Sequence, residues 1–121
     1  MVAAKFAPSE LAVKLDGKAA IVTGSATGIG RSTALGHARR GCRVVVNYTK
    51  SQAEAEETVR TIRAAGSRAL LHRCDVSDDR AVRAMVVACE REFGRLDVLV
   101  YAAGSTDFAP PEDLEAMTGE V

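Results

Sequence analysis

Residues 23–30 read Thr-Gly-Ser-Ala-Thr-Gly-Ile-Gly, and they overlap the end of the apolar run of residues 19–23. A short run of this kind is typical of a strand buried on both faces of a parallel sheet. Gly24 permits a tight turn, Gly28 lets the backbone approach a bound group without an intervening Cβ, and Gly30 lets the next helix pack close to the sheet. A strand, a glycine-rich loop and a helix in this order predict a phosphate-binding turn.

The rest of the chain continues the alternation of strands and helices. Helix boundaries are predicted from Ser51 with Glu54 as a capping box, from Ser77 as an N-cap, and from Gly41 and Gly66 as stops. The last helix carries one apolar stripe, formed by Val82, Met85, Val86, Cys89 and Phe93. The predicted order is strand 19–23, helix 29–40, strand 43–47, the helix after residue 51, strand 69–74, the striped helix and strand 96–101.

This alternation predicts how the strands are arranged. Parallel neighbours cannot be joined by hairpins, so helices must make right-handed crossovers between them. The predicted fold class is therefore α/β, a Rossmann-type doubly wound parallel sheet of strand order 3-2-1-4, truncated after its fourth strand. We expect residues 1–16 to be an N-terminal leader and residues 17–121 to be a nucleotide-binding domain of this fold, incomplete in this chain.

Composition excludes several classes of protein. The chain has 121 residues with 16 basic and 16 acidic side chains, so it lacks the positive field that nucleic-acid binding requires. No apolar run reaches the roughly 20 residues that span a bilayer, so we expect no membrane association and a cytoplasmic location. The three cysteines show no C-x-x-C spacing, and His72 with Cys74 is interpreted as a core pair, so no metal site is expected.

Two other glycine-rich nucleotide-binding motifs differ from this loop. Five residues separate Gly24 from Gly30, where a Walker A loop has four, and Arg31-Ser32 follows. Nucleoside triphosphate hydrolysis is therefore not predicted. A methyltransferase-like loop remains an alternative, although such a loop normally follows an acidic residue and Thr23 stands at that place.

The end of the second strand predicts which dinucleotide is bound. An acid about 20 residues after the loop binds the ribose 2′-hydroxyl of NAD, and we assign that position to Asn47. Asn47, Tyr48, Lys50 and Ser51 include no carboxylate that would repel a 2′-phosphate, Lys50 offers positive charge, and Ser51 or Thr49 can donate hydrogen bonds. NADP(H) is favoured, and NAD(H) is the alternative.

Three motifs together resemble the short-chain dehydrogenase/reductase family over residues 15–121. Residues 23–30 are similar to that family's coenzyme loop, and Asp75-Val76 resembles its adenine-contacting pair. Residues 101–104 read Tyr-Ala-Ala-Gly where the family usually has Asn-Asn-Ala-Gly, so Ala103 and Gly104 fit and the first two positions depart. Asn47-Tyr48 also resembles the 3-oxoacyl-carrier-protein reductase branch.

The resemblance implies a role for each matched residue. The pyrophosphate and its neighbouring ribose would be held by Gly24, Ser25, Thr27, Gly28, Ile29 and Gly30. The 2′-phosphate would lie at Asn47, Tyr48, Lys50 and Ser51, adenine at Asp75 and Val76, and the nicotinamide-side ribose at Ala102, Ala103 and Gly104. The activity implied is hydride transfer between a nicotinamide coenzyme and a small carbonyl or alcohol substrate.

The family's catalytic serine and Tyr-x-x-x-Lys motif have no counterpart here. Tyr48 and Tyr101 are the two tyrosines, and Gln52 and Ser105 follow them at the position where the motif has lysine. We therefore expect this chain to be the coenzyme-binding half of an oxidoreductase, inactive by itself, and to form a homo-oligomer or pair with a complementary chain at its open sheet edge. The alternative is a non-catalytic dinucleotide-binding or interaction module.

Overall fold

A computed structural model describes residues 14–102 of the chain. It contains four strands and three helices, in the order that the sequence predicts. In chain order they are β1 (Ala19–Val22), α1 (Gly28–Arg39), β2 (Arg43–Tyr48), α2 (Gln52–Ala64), β3 (Ala69–Arg73), α3 (Asp79–Phe93) and β4 (Val98–Val100). Most of the predicted leader, residues 1–13, lies outside the described part.

The four strands form one parallel sheet of order β3-β2-β1-β4, as predicted. Ile21 of β1 lies in register with Val45 of β2 on one side and with Leu99 of β4 on the other. All the carboxyl ends of the strands therefore meet at one edge of the sheet, where loops after parallel strands place their ligand-binding residues.

Helices cover both faces of the sheet. α1 and α2 pack on one face around a core that includes Val46, Ile62 and Tyr48. α3 covers the other face, and its predicted stripe is confirmed, because Met85, Cys89 and Phe93 are buried while Val82 and Val86 pack against them. Within residues 14–102, no helix is long and apolar enough to cross a membrane.

Both predicted helix caps require correction. The N-cap of α3 is Asp78 and not Ser77, because the Asp78 carboxylate accepts hydrogen bonds from the N–H groups of Arg80 and Ala81. Ser77 instead donates to the carboxylate of Asp75. α2 begins after Ser51 as predicted, but the side chain of Ser51 makes no capping hydrogen bond, so the expected capping box is absent.

Strands β1 and β4 are shorter than predicted. At each end of the β1–β4 pair, a side chain makes a hydrogen bond in place of the next backbone–backbone bond between the strands. At the start, the N–H of Ala19 donates to Oδ2 of Asp97 at 2.9 Å, so β4 begins at Val98 and not at residue 96. At the finish, the N–H of Ala102 donates to Oγ1 of Thr23 at 2.8 Å, so pairing stops before residue 101. Within residues 14–102, β4 is an edge strand, and Leu99 is 61% exposed.

The carboxylate of Asp97 is the ionised group that joins the first and last strands. Besides the bond from Ala19, it accepts two hydrogen bonds from the guanidinium of Arg95, at 2.6 and 2.8 Å. The hydrogen bonds from Arg95 and Ala19 lower the pKa of Asp97 to about 2. Its unfolded-state pKa is about 3.9, so ionisation of Asp97 stabilises the fold above that pH, and this contribution is lost as the pH falls toward 2.

We predict that Asp97→Asn lowers the thermal midpoint at pH 7 and that the difference from wild type shrinks as the pH approaches 2. Glu57→Gln is the matched control, because Glu57 pairs with Arg60 at 2.7 Å on an exposed helix face. Exposed pairs of this kind contribute little to stability. Melting both variants between pH 7 and 2.5 tests this, and a deficit in Asp97→Asn that is independent of pH would contradict it.

Candidate dinucleotide site

An open cleft of about 740 Å³ lies at the carboxyl edge of the sheet. Ten of the residues predicted from the sequence line it: Gly24, Thr27, Ile29, Gly30, Tyr48, Lys50, Ser51, Asp75, Val76 and Ala102. Thr49, a predicted hydrogen-bond donor to the 2′-phosphate, also lines the cleft. Ser25, Gly28 and Asn47 do not line the cleft, and Ala103 and Gly104 lie outside the described residues. The loops after β1, β2 and β3 thus form a single concave surface.

The N-terminus of α1 has the properties of a phosphate site. Its N-cap, Thr27, makes no side-chain capping bond, and its first turn contains no acidic residue. The first-turn N–H groups therefore keep their partial positive charge for an anion. α3 is the opposite case, because Asp78 caps its first turn and Asp79 lies within it. An anionic pyrophosphate fits the first helix and not the third.

Gly30 sets the close approach between α1 and the glycine loop. A Cβ at Gly30 would overlap the carbonyl oxygen of Gly24, which belongs to the loop backbone. The sequence predicted close packing against the sheet, whereas the contact is with the loop itself. Gly24 and Gly28 have φ angles of 62° and 60°, a region that residues with a Cβ rarely adopt. The predicted tight turn at Gly24 is therefore confirmed.

Asn47 requires a different role from the one expected. Its side chain is 1% exposed and lies beneath the cleft, with its amide bonded to the backbone on both sides. Oδ1 accepts from the N–H of Gly24 at 3.0 Å, and Nδ2 donates to the carbonyl oxygens of Cys74 at 3.0 Å and His72 at 3.4 Å. Successive side chains of a strand point to opposite faces, so Tyr48 and not Asn47 is on the cleft wall.

Ser25 belongs to the same buried network and not to the cleft surface. Its N–H donates to the carbonyl of Asn47, and its Oγ accepts from the N–H of Asn47, both at 3.0 Å. The hydroxyl proton goes to the carbonyl of Val22 at 2.7 Å. Ser25 thus fixes the glycine loop to the end of β2 from below, while its neighbours face the cleft.

The loop after β3 presents an ionised carboxylate to the cleft. Oδ1 of Asp75 accepts from both the N–H and the hydroxyl of Ser77, at 2.9 and 2.7 Å. These hydrogen bonds lower the pKa of Asp75, and the charge of Lys50 adds to the effect. Among the described residues both bonds go to Oδ1, which leaves Oδ2 for an outside donor such as an exocyclic amine. Ser77 lines this wall, and the Asp-x-Ser spacing is the local signal for it.

The end of β4 closes the cleft at its opposite side. Oγ1 of Thr23 connects the ends of β1 and β4, because it accepts from the N–H of Ala102 and donates to the carbonyl of Val100 at 3.4 Å. Tyr101 lines the cleft and is 67% exposed, although the sequence predicts no site role for it. Only its departure from the family pattern could have marked this position.

The three cysteines lie in the core. Cys42, Cys74 and Cys89 are buried as free thiols, and burial is the main cause that raises the pKa of each, to about 11 for Cys42. Within the described part of the chain, no three histidine, cysteine or acidic side chains converge on a common point. Cys74 packs in the core with Met85 and Phe93, which matches the interpretation of the cysteine as a core residue.

We predict that Gly30→Ala destabilises the protein by about 2 kcal/mol, because the added methyl group must displace backbone and not a flexible side chain. Gly36→Ala is the matched control on the same helix, where a Cβ meets nothing closer than 3.6 Å. Its helix propensity should raise stability by up to about 1 kcal/mol. Urea unfolding measures both, and equal effects of the two substitutions would contradict the close approach at Gly30.

Several known proteins are similar to this chain in sequence and in fold. A short-chain dehydrogenase homolog of Bacillus subtilis, YusS, is 45% identical over 104 residues, which are 86% of this chain and 95% of that protein. An uncharacterized oxidoreductase of Methylorubrum extorquens is 46% identical over 101 residues, 84% of this chain but 41% of the relative. A dehydrogenase/reductase structure from Sinorhizobium meliloti superimposes with a TM-score of 0.78 at 35% identity, and covers 84% of this chain and 40% of that one.

The chain therefore spans nearly all of one curated relative and about 40% of the other proteins just described. The family model for short chain dehydrogenases matches residues 18–120, which include every strand and helix of the fold. Sequence, strand order and the glycine loop agree in this assignment. The chain belongs to the short-chain dehydrogenase family.

Proposed function

We propose that this chain is the coenzyme-binding half of an NADP(H)-dependent oxidoreductase that interconverts a small carbonyl compound and an alcohol. The observation that carries the proposal is the wall of the cleft after β2, where Tyr48, Lys50 and Ser51 stand without an acid. A carboxylate at this place would bind the 2′-hydroxyl of NAD and repel a 2′-phosphate. The similarity of Asn47-Tyr48 to the 3-oxoacyl-carrier-protein reductase branch supports the same choice.

Lys50 and Ser51 would hold the 2′-phosphate together. The ammonium group of Lys50 is exposed at the rim and supplies positive charge. Within residues 14–102 the hydroxyl of Ser51 donates to no protein atom, so its proton is available to a phosphate oxygen. A charged donor and a neutral one, side by side, match a dianionic phosphate.

The remaining contacts are proposed from the lining of the cleft together with the family resemblance. The N-terminus of α1 would receive the pyrophosphate, Oδ2 of Asp75 would accept the exocyclic amine of adenine, and Val76 would lie against the ring. Ala102, with Ala103 and Gly104 beyond it, would adjoin the nicotinamide-side ribose. The coenzyme supplies the hydride, and the residues of this chain bind and orient it.

Proton transfer to the substrate needs residues that this chain does not contain. Neither tyrosine has a lysine four positions later, so the Tyr-x-x-x-Lys motif that serves general acid catalysis in the family is not in this sequence. We therefore propose that the 121-residue chain alone binds coenzyme and does not reduce carbonyl compounds. A second copy or a complementary chain at the β4 edge would complete the sheet, and the proposed location is the cytoplasm.

A non-catalytic dinucleotide-binding module is the second candidate. The similar extent of the Bacillus relative, of which this chain covers 95%, favours it. Turnover separates the two candidates. Reduction of a ketone with NADPH only after a complementary chain is added would support the coenzyme-binding half, whereas coenzyme binding without turnover in any assembly state would support the module.

We predict that the protein binds NADPH more tightly than NADH and that Lys50→Gln weakens NADPH about fivefold, since an exposed ion pair contributes about 1 kcal/mol. NADH binding should stay within about twofold, because NADH lacks the 2′-phosphate. Lys18→Gln is the control, because Lys18 precedes β1 at the opposite edge of the sheet. Fluorescence titration gives both dissociation constants, and equal loss of NADPH and NADH affinity in Lys50→Gln would contradict the assignment.

A further inference from the structure

We propose that Arg73 is a second cation for the 2′-phosphate and therefore a specificity-determining residue of the cleft. The inference rests on the proposed NADP(H) function and deepens it. The coenzyme-loop, adenine and strand-four motifs do not include Arg73, and the sequence alone predicts no role for it. Its place in the sheet and one hydrogen bond carry the argument.

The sheet register places Arg73 next to Tyr48, which lines the cleft, while Arg73 itself lies just outside that lining. Arg73 is the last residue of β3 and lies in register with Tyr48, the last residue of β2. Neighbouring strands are about 4.8 Å apart, and in-register residues of parallel strands point to the same face. Leu71, two residues before Arg73, packs in the same core cluster as Tyr48, so Arg73 continues that face to the carboxyl edge.

A hydrogen bond then directs the guanidinium toward the segment that would hold the phosphate. Nε of Arg73 donates to the carbonyl oxygen of Thr49 at 3.1 Å. The same two loops are also joined by the N–H of Cys74, which donates to the carbonyl of Tyr48 at 2.9 Å, and by Oγ1 of Thr49, which donates to the carbonyl of Cys74 at 3.3 Å. The guanidinium therefore lies against the residue that immediately precedes Lys50 and Ser51.

The guanidinium keeps its phosphate-binding groups. The bond to Thr49 uses Nε, and within residues 14–102 the two terminal amino groups donate to no protein atom. No carboxylate of the described residues lies within 4.0 Å of Arg73, whereas Arg60, Arg68, Arg83 and Arg95 are each paired with an acid. A planar group with two free amino ends on an exposed side chain is suited to bidentate phosphate binding.

In this arrangement one cationic side chain follows β2 and another ends β3, and both could contact the 2′-phosphate. Lys50 approaches from the segment after β2, and Arg73 approaches from the end of β3. Asp75 is an anion in the same region. Its Oδ1 accepts hydrogen bonds from Ser77, and its negative charge interacts favourably with Lys50. Arg73 thus adds net positive charge where the phosphate would lie, and it also fixes the peptide of Thr49.

The test compares 2′,5′-ADP with 5′-AMP, two probes that differ by the 2′-phosphate alone. Calorimetric titration is carried out on wild type, Arg73→Gln and Arg63→Gln. Arg63 is the matched control, because its guanidinium also donates to a backbone carbonyl, that of Ala69 at 3.1 Å, at the opposite end of β3. We expect Arg73→Gln to weaken 2′,5′-ADP about tenfold and 5′-AMP less than about twofold, and Arg63→Gln to change neither.

Each other outcome has a definite meaning. Equal weakening of both probes in Arg73→Gln would show that Arg73 only shapes the loop, and unchanged binding of both would show that it does not meet the phosphate. Either result overturns the inference and leaves the proposed function standing if wild type prefers 2′,5′-ADP. A wild-type protein that binds both probes equally, or neither, would overturn the proposed NADP(H) function and this inference with it.

Discussion

The buried amide of Asn47 is the interaction on which the candidate site depends. Its Oδ1 accepts a hydrogen bond from the N–H of Gly24, in the loop after β1. Its Nδ2 donates to the carbonyl oxygen of Cys74, in the loop after β3. Both partners are backbone groups at the edge of the buried core. Leaving a buried donor or acceptor without a partner there costs about 1 to 3 kcal/mol of folding free energy. An amide fits this place because it donates and accepts at once, which neither a carboxylate nor an aliphatic group can do.

This constraint explains why the cleft takes its shape at the end of the sheet. The glycine loop, the β2 end and the adenine-side loop are held to one another from below, so their upper surfaces face the cleft in fixed relative positions. Gly30 brings the N-terminus of α1 against the same loop, and Thr23 attaches the end of β4. Lys50 and Arg73 are exposed cationic side chains beside the ends of the strands that are held in this way.

Much of this could be predicted from the sequence, because alternation, glycine spacing and apolar periodicity are local signals. Strand order and the buried stripe of α3 followed from them. The role of Asn47 did not, because its partners lie 23 and 27 residues away and its exposure depends on which face of β2 it occupies. The predicted cap at Ser77 was wrong for a local reason, because the Asp78 carboxylate accepts from the first-turn N–H groups and the hydroxyl of Ser77 donates to the Asp75 carboxylate. Arg73 became visible only through the register of β3 against Tyr48.

The most direct test of the account is an NMR titration of the protein with NADPH, followed through the backbone amide shifts. The account predicts the largest changes in residues 24–30, 49–51 and 75–77, the three loop segments that contribute to the cleft lining. The amides at the opposite edge, around Lys18 and Arg95, should stay where they are. Shifts confined to the outer face of α1 or to α3, with the three loops unchanged, would contradict the claim that this edge of the sheet is a dinucleotide site.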